Sequence, residues 1–205
     1  MQQSFKVISI EGNIGIGKST LAPKLATELS NLTGENWVSI LEDVDTNDVF
    51  QQKLAAFTAD PVANRVDFQN YMTDLRHGIG KNLTAGSNYI LERSLLSDLV
   101  FSLANIDCDS NEQCEIQRIT DALNDYCTID TVIYLQADPR VCYSRMLGRG
   151  REQENGTPLS YIEHLADCHD KYLPKVTSQY NMPLLTVEYS QFMPVGRIAN
   201  EVLNN

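Results

Sequence analysis

From Phe5 to Ile10 the chain is apolar and β-branched, the pattern of a buried strand. Directly beyond a glycine-rich stretch, Leu21, Leu25 and Leu29 recur at helical spacing. Further apolar runs predict strands near 36–41, 88–91, 130–135 and 183–188. Helical periodicity covers 18–31, 46–58, 61–83, 93–106, 112–126, 138–149, 158–178 and 192–203. Strands alternating with helices imply an α/β fold with a parallel sheet covered on both faces. Asp60-Pro61 and Asp138-Pro139 each place a proline in a helix's first turn behind a capping Asp. The pattern gives out between Gly148 and Thr157, which reads as a mobile loop joining two helices. No repeat or linker divides the chain, so residues 1–205 form one domain.

Charge changes the picture more than composition does. A net charge of −11 argues against a nucleic-acid partner, which calls for a basic face. An acidic protein that handles anions must gather its cations locally, and Arg140, Arg145, Arg149 and Arg151 fall within twelve residues. No apolar run reaches the ~20 residues of a membrane span. The chain enters its first strand almost at once, leaving no room for a leader, so a cytoplasmic protein is expected. The five cysteines show no C-x-x-C spacing and are expected to be reduced helix fillers without a role. His77, His164 and His169 lack metal-ligand spacing and are expected on helix surfaces.

The chemistry concentrates at three predicted strand ends. After the first strand, Gly12, Gly17, Lys18 and Ser19 fit the phosphate-loop pattern G-x-x-x-x-G-K-[ST]. A strand, a glycine-rich turn and a helix N-terminus gather backbone N–H groups around one anion. Gly12, Asn13, Ile14, Gly15, Ile16, Gly17, Lys18, Ser19 and Thr20 are therefore the candidate nucleoside-triphosphate site. Lys18 would reach the β/γ-phosphates and the Ser19 hydroxyl would bind Mg²⁺. Glu42 follows the second strand and could take a proton from a substrate hydroxyl, as could Asp43 or Asp45; a solvated acidic turn is the plainer alternative. Glu92 and Arg93 follow the third strand. Glu92 could hold Mg²⁺ through water and Arg93 could steady a transferred phosphoryl group, or the pair with Ser94 could simply cap the next helix. Segments Glu11–Ser19, Glu42–Asp45 and Glu92–Asp98 should converge beyond the strands' C-terminal ends. Arg145, Arg149 and Arg151 could close over a triphosphate or merely end a helix. Gln69 could pair with a base edge beside a stacking Phe68, unless both are ordinary helix positions.

These motifs, in this order, resemble the deoxynucleoside kinase family across about residues 5–178. The resemblance rests on Glu11-Gly12-Asn13-Ile14-Gly15, Leu41-Glu42-Asp43-Val44, Asp67-Phe68-Gln69-Asn70-Tyr71, Glu92-Arg93-Ser94 and Arg145-Met146-Leu147-Gly148-Arg149-Gly150-Arg151 with Glu154. It implies a P-loop NTPase-type three-layer fold with a five-stranded parallel sheet of order 2-3-1-4-5, flanked by helices, and a helical lid at about 145–157. It also implies ATP-dependent phosphorylation of a deoxynucleoside 5′-hydroxyl with Mg²⁺. In the roles it implies, Glu42 is the base and Arg93 orients it. Ser19 and Glu92 serve the metal. Arg145, Arg149 and Arg151 clasp the donor. Gln69 and Phe68 hold the nucleobase, and Glu154 reads the 3′-hydroxyl. Arg76, seven residues after Gln69 and so on its helix face, matches with Asp98 an Arg–Asp pair of the branch preferring deoxycytidine or deoxypurines over thymidine. Family members are usually homodimers through helices like 93–106 and 112–126. Three positions depart from the family pattern: Asp43 replaces a proline, Asn47 a pocket tryptophan and Thr58 a tyrosine. A smaller Asn47 could admit a larger acceptor. The alternatives are a deoxynucleoside monophosphate kinase, needing a free cation from Arg65, Arg76 or Lys81, and a catalytically silent nucleotide-binding subunit.

Overall fold

Alternation along the first strand decides how the molecule is layered. Strand β1, Val7–Gly12, sends Ile8 and Ile10 to one side and Val7 to the other, and both sides are buried. The computed structural model describes residues 3–42, 45–105 and 112–204. Asp43, with Val44, and the polar run 108–111 with Cys108 lie outside them. After β1 come α1 (Lys18–Thr33), β2 (Trp37–Ile40), α2 (Asp48–Ala59), α3 (Pro61–Lys81), β3 (Asn88–Glu92), α4 (Leu95–Asn105) and α5 (Glu112–Asn124). They are followed by β4 (Thr131–Gln136), α6 (Pro139–Arg149), α7 (Leu159–Gln179), β5 (Leu184–Glu188) and α8 (Val195–Leu203). The five strands pair in parallel in the order β2-β3-β1-β4-β5, as expected.

Each sheet face carries its own core. Leu21, Leu25 and Leu29 of α1 pack with Ile8, Ile10, Ile133 and Ile198 on one side. On the other, Leu95 and Leu99 of α4 and Leu165 and Leu173 of α7 pack with Val7 and Val132. Asp60 caps α3 by accepting from Ala63 N at 3.1 Å, and Asp138 caps α6 by accepting from Arg140 N at 2.8 Å.

Three expectations need correction. The stretch 148–157 is not a loop throughout: α6 continues through Arg149, and a 3₁₀ turn occupies Glu152–Glu154. His169 is not on a surface. It is 1% exposed, stacks on Tyr134 at 6.0 Å and meets Leu165 O through Nδ1 at 2.7 Å. Its place on the face of α7 that packs under the sheet was hidden by a helix that is polar on its other side. Burial, with help from Arg93, pushes its imidazole down to about 3. Cys127 sits in the turn after α5, not in a helix; it and Cys114, Cys142 and Cys168 are free thiols. Helix α4 is wrapped by α3, α5 and α7, and Leu95–Val100 are all buried within the chain. Among the described residues no helix is long and apolar enough to cross a membrane.

Candidate active site

The loop after β1 requires glycine where it bends most. Gly12 has φ 140°, and a Cβ there would stand 2.6 Å from Leu135 O. Gly15 has φ 75°, and a Cβ would stand 2.2 Å from Cys142 O. A side chain at either position would displace the backbone of β4 or α6. Lys18 opens α1 and is 5% exposed, its Nζ donating to Asn13 O at 2.8 Å and Gly12 O at 3.2 Å. Burial, and secondly repulsion from Arg93, bring its ammonium down to about 7 against the pull of nearby carboxylates. Other loop candidates act as supports. Asn13 Nδ2 donates to Ile162 O at 2.8 Å while its Oδ1 accepts from Ile14 N at 2.8 Å. Ile16 packs in the core, and Thr20 faces outward from the first turn of α1.

The order β2-β3-β1 brings the three strand ends side by side. Glu92, closing β3, accepts from Ser19 Oγ at 2.5 Å and from Glu42 N at 3.3 Å. Glu42 is held from two sides. Arg76 Nε donates to its Oε1 at 3.0 Å, and Arg93 Nε lies 3.5 Å from its Oε2. Burial pushes the Glu42 carboxyl up, but the two guanidinium groups outweigh it and hold it below the ordinary carboxylate range. Arg76 also pairs with Asp98. Asp98 is fully buried, and burial lifts its carboxyl to about 6 despite that partner. Gln69 Nε2 donates to Asp98 Oδ1 at 2.9 Å. A carboxylate only accepts, so Gln69 turns its NH₂ to Asp98 and, more loosely, to Thr73 Oγ1 at 3.4 Å, and keeps its carbonyl for something else. Ser94 does cap α4, accepting from Leu96 N at 3.2 Å, which leaves the Glu92 and Arg93 side chains at a cavity wall.

Between the phosphate loop and α3 lies a cavity of about 1050 Å³, counting its open mouth. Lys18, Ser19, Glu42, Phe68, Gln69, Arg76, Glu92, Arg93, Arg149, Arg151 and Glu154 all line it. Asp98 stands behind this wall and acts through Gln69 and Arg76. Arg145 is elsewhere. Its guanidinium donates to Ile16 O, Tyr189 O and Ser190 O at 2.8–3.1 Å and lies 4.3 Å from the Phe192 ring. It therefore ties the segment after β5 to the back of the phosphate loop. Arg149 pairs with Glu154 at 2.5 Å, and Arg151 holds Asp45 through two contacts of 2.9 Å.

Sequence reasoning missed several wall residues. Phe57 stacks on Phe68 with centroids 5.2 Å apart, and Phe101 lies under Arg93 at 4.9 Å. Phe101 stands one helical turn after Asp98, a spacing that would have signalled it. Glu11, within the recognised motif but given no role, is wholly buried beneath the loop. The departures also resolve. Asn47 caps α2, accepting from Phe50 N at 3.0 Å, and does not line the main cavity. It borders a smaller adjoining cavity beside Glu42, Arg76 and Arg93. Thr58 does line the main cavity, and donates to Gln153 O at 2.9 Å, holding the Glu152–Glu154 turn against α2. The cations considered for an acceptor phosphate are engaged: Arg65 with Glu115 at 2.8 Å, Arg76 with Glu42 and Asp98, and Lys81 with Asp125.

Comparison with known proteins agrees with this geometry. A probable deoxycytidine kinase of Fowlpox virus (strain NVSL) is 30% identical over 197 residues, covering 90% of this chain and 79% of that protein. A deoxyguanosine kinase of Dictyostelium discoideum is 26% identical, covering 98% of this chain and 70% of that protein. A solved deoxyadenosine kinase from M. mycoides with bound dCTP superposes with a TM-score of 0.75 at 25% identity, covering 97% of this chain and 98% of that one. The family model for deoxynucleoside kinases matches residues 8–205. The chain belongs to the deoxynucleoside kinase family.

Proposed function

We propose that this kinase transfers the γ-phosphoryl group of ATP to the 5′-hydroxyl of a deoxynucleoside, favouring deoxyadenosine, deoxycytidine or deoxyguanosine over thymidine. The observation that carries the reading is the place of Glu42: at the cavity wall, across from Lys18 and Ser19, and joined through Arg76 to the Gln69–Asp98 pair. In this reading the donor's phosphates lie on the loop N–H groups and Lys18. The nucleobase meets Gln69 and Arg76 between the aromatic walls. The 5′-oxygen of the deoxyribose attacks the γ-phosphorus, the bond to the β,γ-bridging oxygen breaks, and the hydroxyl proton passes to Glu42. Arg76 and Arg93 keep Glu42 ionised and aimed, which suits a transfer that asks more for positioning than for a strong base. Arg149 and Arg151 exchange Glu154 and Asp45 for phosphate oxygens. Ser19 Oγ and Glu92 Oε1 are adjacent hard oxygens that fit Mg²⁺, which would neutralise charge on the donor. The Arg76–Asp98 pair, which matches the branch disfavouring thymidine, supports the base preference.

The test is turnover with ATP and Mg²⁺ against the four deoxynucleosides and their monophosphates, with products separated by chromatography. Phosphorylation of deoxyadenosine, deoxycytidine or deoxyguanosine in preference to thymidine is the expected result. Activity confined to monophosphates would overturn the reading.

A further inference from the structure

Arg93 is one of two described non-glycine residues with positive φ, at 69°. A left-handed arginine persists only where its surroundings hold it. Here both ends of the residue lead back to one side chain. The next peptide N–H, that of Ser94, donates to Glu11 Oε1 at 2.9 Å. The Arg93 guanidinium donates through Nη1 to Ser97 Oγ at 3.0 Å, and Ser97 Oγ in turn donates to Glu11 Oε2. Ser9 Oγ at 2.5 Å and Ser94 Oγ at 2.7 Å complete the shell around Glu11. Strand alternation dictates this placement: Val7, Ser9 and Glu11 share the face of β1 that meets α4.

A carboxylate with no exposed surface is costly to bury, and four donors only offset that cost. An apolar residue of similar size would fill the space under the sheet at least as well. What Glu11 supplies is geometry. It is covalently joined to Gly12, whose carbonyl also accepts from Arg93 Nη1 at 3.0 Å. One residue thus fixes the distance between the phosphate loop and the arginine that steers Glu42.

We propose that Glu11 is a positioning residue for phosphoryl transfer, locking the left-handed backbone of Arg93 and aiming its guanidinium through Ser94 and Ser97. Its kinetic consequence rests on the kinase reading above; its geometric one does not. The experiment compares Glu11→Gln, Ser97→Ala and the double variant with the full wild-type chain, after circular dichroism establishes which are folded. With the best deoxynucleoside, kcat is expected to fall about 10- to 100-fold in each single variant, as when a charge-assisted hydrogen bond that orients an active-site group is lost. The KM values for nucleoside and ATP should stay within about twofold, and the double variant should lose little more than the worse single one. In parallel, the Arg93 Nε–H resonance, assigned with Arg93→Lys, should shift and broaden in both singles. A purely structural role would lower stability while leaving kcat and that resonance in place, and this result in either folded variant overturns the proposal. If Glu11→Gln does not fold, Ser97→Ala alone decides. If the wild type turns over no deoxynucleoside, the kinase reading fails and the resonance still decides whether Glu11 holds Arg93.

Discussion

Binding of a triphosphate to this protein should take up a proton at Lys18. In the free protein its ammonium is enclosed by the loop and brought to about 7, because burial disfavours the charge and Arg93 repels it. An anionic triphosphate beside it favours the charged form and raises that value. The bound state then holds more protons than the free state. A group that titrates at about 7 is roughly nine-tenths neutral at about pH 8 and roughly one-tenth neutral at about pH 6. Uptake should therefore be near 0.9 proton per site at about pH 8, and affinity should weaken by about tenfold per pH unit above about 7 until the bound lysine itself titrates. Calorimetric titration of the Mg²⁺–ATP complex at that pH, in two buffers with different heats of ionisation, reads the uptake directly. The Lys18→Arg variant, charged at either pH, should show none. Equal heats in both buffers for the wild type, with unchanged affinity on raising the pH, would refute the reasoning.

Four further outcomes are expected. Glu42→Gln should cut turnover by about 10²–10⁴-fold with nucleoside binding retained in direct titration; full activity would remove Glu42 from the mechanism. Asp98→Ala combined with Arg76→Met should shift the ratio of kcat/KM values toward thymidine. Because Arg76 also holds Glu42, every substrate should slow, so an unchanged ratio is what would show that the pair does not read the base. Asp45→Asn loosens Arg151 for the donor, and the KM for ATP should drop about two- to fivefold, a modest change because Asp45 is exposed; an unchanged KM would mean that Asp45 does not compete with the donor for Arg151. His169 titrates at about 3 when folded against an ordinary 6.5, so the folded state binds fewer protons. The stability it confers is complete above about 6.5 and is lost as pH falls toward 3, so His169→Leu should flatten the fall in urea midpoint between about pH 7 and about pH 4.5.

The elements and the meeting of the three strand ends were legible because they rest on local signals: apolar runs, cap residues and a motif whose glycines have no substitute; the sheet order followed from the family resemblance alone. Partnership was not legible. Arg145 and Arg149 stand one helical turn apart with the same charge, yet one is spent on backbone carbonyls behind the loop and the other faces the cavity. Only the path of the segment after β5 decides that, and nothing in local spacing reveals it. His169 was misplaced for a related reason, since α7 turns a face containing it toward Tyr134 and Phe101. Asn47 both caps a helix and borders a second cavity beside Glu42 and Arg76, two roles that its size alone does not reveal.

The central position of β1 also governs when the protein can assemble. Val7 lies opposite Tyr89 and Ile8 opposite Thr131, so the strand that carries the phosphate loop waits for partners from much later in the chain. During synthesis the first apolar strand leaves the ribosome with neither neighbour available, and the loop has no wall at Leu135 against which to bend. Such long-range parallel pairing folds slowly and exposes sticky intermediates. A nascent chain that ends before β4 should bind no nucleotide, and nucleotide-binding capacity should arise in one late step once residues to about Gln136 have emerged.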